Sequence, residues 1–189
     1  MLYLSCARLH IQTFYFFENP DRPDMEGLTE LFSIARMVID NVMALDQTQI
    51  CAVSSTAYIH RSVILSAFTI LKISKSLLKP YLDLESGKKS YFFAIALLRM
   101  NSLENDDLSA MGAMILTQLW TSSKIFRRAN GAMSSLRLSV RSRMTMSVVF
   151  DCFWWWREEF GGRPSPFRDE EDYTAKGDAP EFDFLKFHN

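Results

Sequence analysis

Apolar residues recur along most of this chain at intervals of three and four, the spacing of one helix face. From Met25 to Leu45 that face is Leu28, Leu31, Phe32, Ala35, Val38, Ile39 and Val42. A first helix is expected over Met1 to Phe17, ended by a loop from Asn19 to Asp24 that holds Pro20 and Pro23. A third, about Thr56 to Leu78, is apolar on most sides, with Ser62, Thr69, Lys72 and Ser76 on one narrow polar stripe; such a helix is covered by neighbours on its other faces. Pro80 follows it, and Ser86 suits the N-cap of a fourth helix from Lys88 to about Asn101. The carboxylates of Asn105-Asp106-Asp107 complement the positive start of a fifth helix, which is expected to run to Arg128 before Asn130-Gly131. The last spans about Leu138 to Phe160, before the stop at Gly161-Gly162 and Pro164.

These elements predict an all-α protein. An irregular bundle of five to six helices fills one domain over residues 1–162, and an acidic-aromatic tail, expected to be loosely ordered, runs over 163–189. Seven Gly and six Pro among 189 residues agree with long helices rather than a turn-rich β fold. Fifteen Phe, six Tyr, four Trp and ten Met make large soft side chains the unusual part of the composition. A net charge of −1 supplies no overall field for nucleic acid or for a membrane. Cys6, Cys51 and Cys152 are odd in number and far apart, which reads as reduced thiols in an intracellular protein. No stretch approaches the roughly 20 apolar residues that span a bilayer.

Catalysis needs a nucleophile, a positioned base or a metal, and few such parts are present. His10, His60 and His188 are isolated, and no CxxC, HxxxH, phosphate loop or nucleophile elbow occurs. His60, beside Arg61, is read as structural. No enzyme activity and no catalytic, metal or cofactor residue is therefore expected. Lys124, Arg127, Arg128, Arg137, Arg141 and Arg143 form a basic stretch without interleaved exposed aromatics, and pairing with nearby carboxylates is the expectation. Met111, Met114, Leu119 and Trp120 suit a packed interior. The alternative is that this Met and aromatic core adapts around a small apolar ligand.

The segment Arg141 to Gly162, with Phe150-Asp151-Cys152-Phe153-Trp154-Trp155-Trp156, is the most distinctive. It resembles the C-terminal end of the regulatory region in fungal zinc-cluster (Zn2Cys6) transcription factors, in the branch of the leucine-biosynthesis and weak-acid regulators. Leu2 to His10 with Phe14-Tyr15-Phe16-Phe17 looks like that region's opening helix, and Leu116-Thr117-Gln118-Leu119-Trp120 also fits. The resemblance covers roughly residues 1–162 and is weaker between Asp46 and Ala57. It implies a nuclear regulator of RNA polymerase II transcription that works through the rest of the regulator or coactivator proteins, with a small-molecule effector as a further option. Three scattered cysteines cannot hold the family's two zincs. Zinc belongs to an N-terminal cluster not present here, DNA binding by this chain alone is not expected, and a large open apolar patch is expected where further helices would pack.

Two places are candidate contacts. On the last helix, Val148, Cys152 and Trp155 share one face, and Met146, Val149, Phe153, Trp156 and Phe160 a second. Arg143, Ser147, Asp151, Trp154 and Glu158 line the third, polar side, which makes Trp154 the candidate for a partner. In the tail, Phe182, Phe184, Leu185 and Phe187 beside Glu181 and Asp183 resemble acidic-hydrophobic activation segments that fold onto a coactivator groove.

Overall fold

The computed structural model describes residues 1–19, 22–46, 57–102, 108–127, 131 and 133–161. It is all-α, with helices α1 (Leu2–Gln12), α2 (Met25–Asp46), α3 (Ala57–Ser74), α4 (Leu84–Met100), α5 (Leu108–Thr121) and α6 (Ser147–Phe160). Helix α3 is the axis: α1, α2, α4, α5 and α6 all pack on it. Every residue from Ser62 to Ser74 on α3 is buried, because neighbours cover all its sides. Phe16, Phe32, Phe68, Tyr91 and Phe126 are the largest fully buried rings of the core. The Tyr91 hydroxyl donates to Leu116 O at 2.7 Å, so burial of its one polar atom is matched by a bond.

Several helix ends differ from those expected, each for a local reason. The first helix tightens into a 3-10 turn over Thr13–Phe17 after Thr13 bonds back to Leu9 O at 2.7 Å. Helix α3 stops at Ser74, four residues early, where Ser76 Oγ donates to Ile73 O and accepts the Leu78 amide. Helix α4 begins at Leu84, because the Asp83 carboxylate, not Ser86, is its cap and accepts the Ser86 amide. Gly87 then lies in the first turn, where a Cβ would stand 2.5 Å from Phe32 Cζ. Its small size allows α4 to approach α2. Helix α5 ends at Thr121, and Lys75 of the chain after α3 donates to Trp120 O and Ser122 O at that end. The expected cap at Asn105-Asp106-Asp107 and the loop residues Arg128 to Asn130 lie outside the described residues.

The largest departure is in the last helix. Leu138 to Arg143 is irregular, a 3-10 turn follows over Met144–Met146, and α6 starts only at Ser147. What replaces the missing two turns is a buried ion pair. Lys72 Nζ on α3 meets Asp151 Oδ2 on α6 at 2.6 Å, with side-chain exposures of 0% and 1%. The same ammonium donates to Arg137 O at 3.3 Å and stands 4.7 Å from the centroid of Phe126. Asp151 Oδ1 accepts the Ser139 amide at 2.8 Å and the Val140 amide at 3.4 Å. Phe126 itself has φ +59°, a left-handed conformation that persists because Lys72 and the edge of Trp155 hold its ring. The polar stripe of α3 thus faces inward: Ser62, Thr69 and Lys72 are fully buried and Ser76 nearly so. Asp151 and Ser147, expected on an outer side of α6, are buried as well.

Removing one member of such a pair leaves a dry, unpaired charge. K72M and D151N should each lower the free energy of unfolding in urea by about 3–5 kcal/mol. The double variant K72M/D151N keeps an acceptor for the Ser139 and Val140 amides, and should regain more than half the loss of K72M alone. Losses that simply add in the double variant would contradict a coupled pair.

Candidate interaction surface

Trp154, the residue expected to await a partner, is half-buried like its two neighbours. The Arg157 guanidinium lies 5.3 Å from its ring centroid. Trp155 meets Phe126 edge to face at 5.5 Å, and Trp156 Nε1 donates to Gln118 Oε1 of α5. The three indoles point in different directions around α6, about 100° apart, and all three are half-buried. Phe182, Phe184, Leu185 and Phe187 lie outside the described residues.

The titratable side chains near α1 act as fasteners. His10 Nε2 is 3.2 Å from Ser62 Oγ of α3, and Nδ1 is 3.0 Å from Thr145 Oγ1. Ser62 gives its own proton to Tyr58 O at 2.9 Å. The contact with His10 is therefore made by an Nε2–H, leaving Nδ1 to accept from Thr145. Because the Ser62 proton is already committed to a carbonyl, this Ser–His contact is not arranged as a nucleophile and its base. Tyr58 stacks on the imidazole at 5.5 Å, and Tyr3 stacks on Tyr58 at 6.3 Å. Burial holds the His10 pKa below its ordinary 6.5. Burial also raises the Cys6 thiol, despite a hydrogen bond with Ser62, and raises Cys152 much further; both sulfurs stay protonated and unreactive. His60 bonds to Ser109 of α5 at 2.9 Å, a structural tie between α3 and α5. Among the described residues no group of three His, Cys, Asp or Glu side chains is placed to hold a metal.

With Leu2, Cys6 and Leu9 buried against α2 and α3, the opposite side of α1 points outward. That side is apolar too. Met1 is 98% exposed, Ile11 72%, Leu4 69% and Tyr3 59%, and Phe14 of the following turn is 44% exposed. The one charged side chain on this side, Arg8, pairs with Glu30 of α2, which Gln12 also contacts. The face is therefore continuous and greasy, unlike an ordinary solvated helix side. A sign of it was present in the sequence, since Leu4 and Ile11 lie seven residues apart opposite Leu2, Cys6 and Leu9, which makes the first helix apolar on two sides.

Three residues of the basic stretch lie against rings or backbone carbonyls. Arg141 lies over the Phe17 ring and Arg143 over the Phe150 ring, while Arg127 donates to Ser123 O and Gly131 O. Aromatic rings are thus interleaved with Arg141 and Arg143, and Arg128 lies outside the described residues. Met111 and Met114, expected in the interior, are 41% and 42% exposed, whereas Leu119 is fully buried. A broad open groove of about 820 Å³ lies between the start of α2 and Tyr81. Part of its polar lining is engaged within the protein: Thr29 and Ser33 donate to carbonyls of their own helix, and Glu30 holds Arg8.

Compared with known proteins, the chain matches no family profile, no curated protein and no solved structure.

Neutral His10 also sets a pH dependence. The unfolded chain takes up this proton first as pH falls, so stability is full above about 6.5 and declines below it toward the lower folded pKa. Between about pH 7.5 and about pH 5.5 the urea midpoint of the wild type should fall more than that of H10Q. Equal falls in the two proteins would show that His10 is not held neutral.

Proposed function

We propose that this chain is a helical regulatory domain of a transcription factor of the fungal zinc-cluster kind, working in the nucleus through contacts with other proteins. The observation that carries this reading is the apolar outer face of α1, whose one charged side chain is paired. A surface of that kind is maintained for a partner or for further helices of the same regulator, and it costs solubility when left bare. The polar groups near it support the same reading, because His10, Ser62, Thr145 and Tyr58 bond to one another and position a helix. The segments that resemble the family include Leu2 to His10 in α1, Leu116 to Trp120 in α5, and α6 with its approach. The acidic and aromatic residues from Asp169 to Phe187 have the composition of a coactivator-binding segment.

The chain fused to an unrelated DNA-binding domain, in a fungal reporter strain, provides the test. Reporter output should exceed that of the DNA-binding domain alone, and deletion of residues 163–189 should reduce it at equal protein level. Output equal to the DNA-binding domain alone, or unchanged by the deletion, would reject a regulator that acts through this tail.

A further inference from the structure

Arg141 and Arg143 are both exposed, and each guanidinium lies over an aromatic ring. Neither has a carboxylate within ion-pair distance among the described residues, where Arg8, Arg36 and Lys72 form the pairs. Glu18, exposed beside Phe17, pairs with neither. Two residues apart, the arginines have Cα atoms at most about 7 Å from one another. Phe17 beneath Arg141 packs on the exposed Phe14 at 5.3 Å. Phe150 beneath Arg143 is also exposed; it meets Phe153 at 6.0 Å, and Phe153 lies against Phe68 of the core. Met144, the next residue in the chain, is 69% exposed. Three open apolar side chains thus accompany two cations that no described carboxylate pairs.

The backbone that carries this patch is fixed on both sides. Asp151 holds the Ser139 and Val140 amides, the Arg143 amide donates to Ser147 Oγ at 3.1 Å, and Thr145 bonds to His10. Met144, with φ +50°, keeps a left-handed conformation between those bonds. A surface ordered beforehand loses little freedom when a partner arrives. A guanidinium stacked on a ring also keeps the N–H groups of its edge for carboxylates.

The complementary ligand must answer two cations and cover Phe14, Met144 and Phe150 together, which calls for carboxylates spaced among apolar side chains. A nucleic-acid strand fits less well. Phosphate tracking needs a run of cations, whereas the patch has two and the chain a net charge of −1. We infer that Arg141 and Arg143, with Phe14, Met144 and Phe150, form a docking surface for an acidic, aromatic-rich peptide segment of another protein. The inference rests on the reading of the chain as one that works through protein contacts, and it adds the chemistry of the partner.

The probe is a fluorescein-labelled dodecapeptide in which aspartate alternates with phenylalanine and leucine, titrated with the full chain and read by fluorescence anisotropy. It should bind with a micromolar Kd that weakens as salt is raised. R141Q/R143Q should bind it about ten-fold more weakly or worse, with unchanged helical circular dichroism, since both side chains are exposed. F14S/M144S should also weaken binding, through the apolar half of the surface. The same peptide with asparagine for aspartate, offered to the wild-type chain, should lose a similar factor without any change to the protein. No binding at about 100 μM chain would overturn the inference, as would a Kd indifferent to R141Q/R143Q or to the asparagine peptide. Tighter binding of labelled oligothymidylate than of the acidic peptide would overturn it in favour of nucleic acid. None of these measurements depends on transcription. An active reporter without peptide binding sinks the docking surface alone, and peptide binding with a silent reporter sinks the regulatory reading alone.

Discussion

The bond between Lys72 and Asp151 is the constraint on which the C-terminal third of the domain depends. Lys72 lies on the helix that every other helix packs against, and its ammonium is wholly withdrawn from water. Three groups replace that water: the Asp151 carboxylate, the Arg137 carbonyl and the face of Phe126. Asp151 in turn accepts two amides from the irregular chain before α6. One ion pair thus answers the question that every buried non-helical segment raises, which is where its backbone hydrogen bonds go. A pair of apolar residues could fill the same volume at similar or better stability. It could not receive the amides of Ser139 and Val140, so the polar choice selects the register in which α6 and its approach lie on α3.

A similar division of labour explains the surface. Polar side chains that might have formed a reactive cleft are instead used in pairs between helices: His10 with Ser62 and Thr145, His60 with Ser109, Lys75 with the end of α5. Fastened in this way, α1 has no freedom to turn its second apolar side inward. The bundle is left with a filled interior and a greasy outer helix. That combination underlies the regulatory reading proposed from the outer face of α1.

Helix number and class were legible because the three-and-four spacing is strong in every element, and α2 in particular begins where Leu28, Leu31 and Phe32 place it. The misplaced start of α6 was legible as well. Leu136, Leu138 and Val140 alternate with Arg137, Ser139 and Arg141, a period of two that argues against helix. The inward stripe of α3 was not legible, because a lysine on a helix is almost always solvated unless paired, and its partner lies 79 residues away. Met111 and Met114 illustrate the converse: apolar side chains on a helix whose other face already fills the core remain outside. As for the candidate site, nothing in the local pattern of Trp154 distinguished a ring on the flank of α6 from one awaiting a partner. Both α1 faces, by contrast, could be counted from the residues alone.

Native-state hydrogen exchange at the Ser139 and Val140 amides tests the central role of the buried pair most directly. If the Asp151 carboxylate holds that segment to α3 through Lys72, both amides open only with the core and exchange as slowly as the amides of Ile70 and Leu71. Exchange as fast as in the exposed turn around Lys124 would mean that the segment detaches on its own, and that the ion pair does not organise this part of the fold.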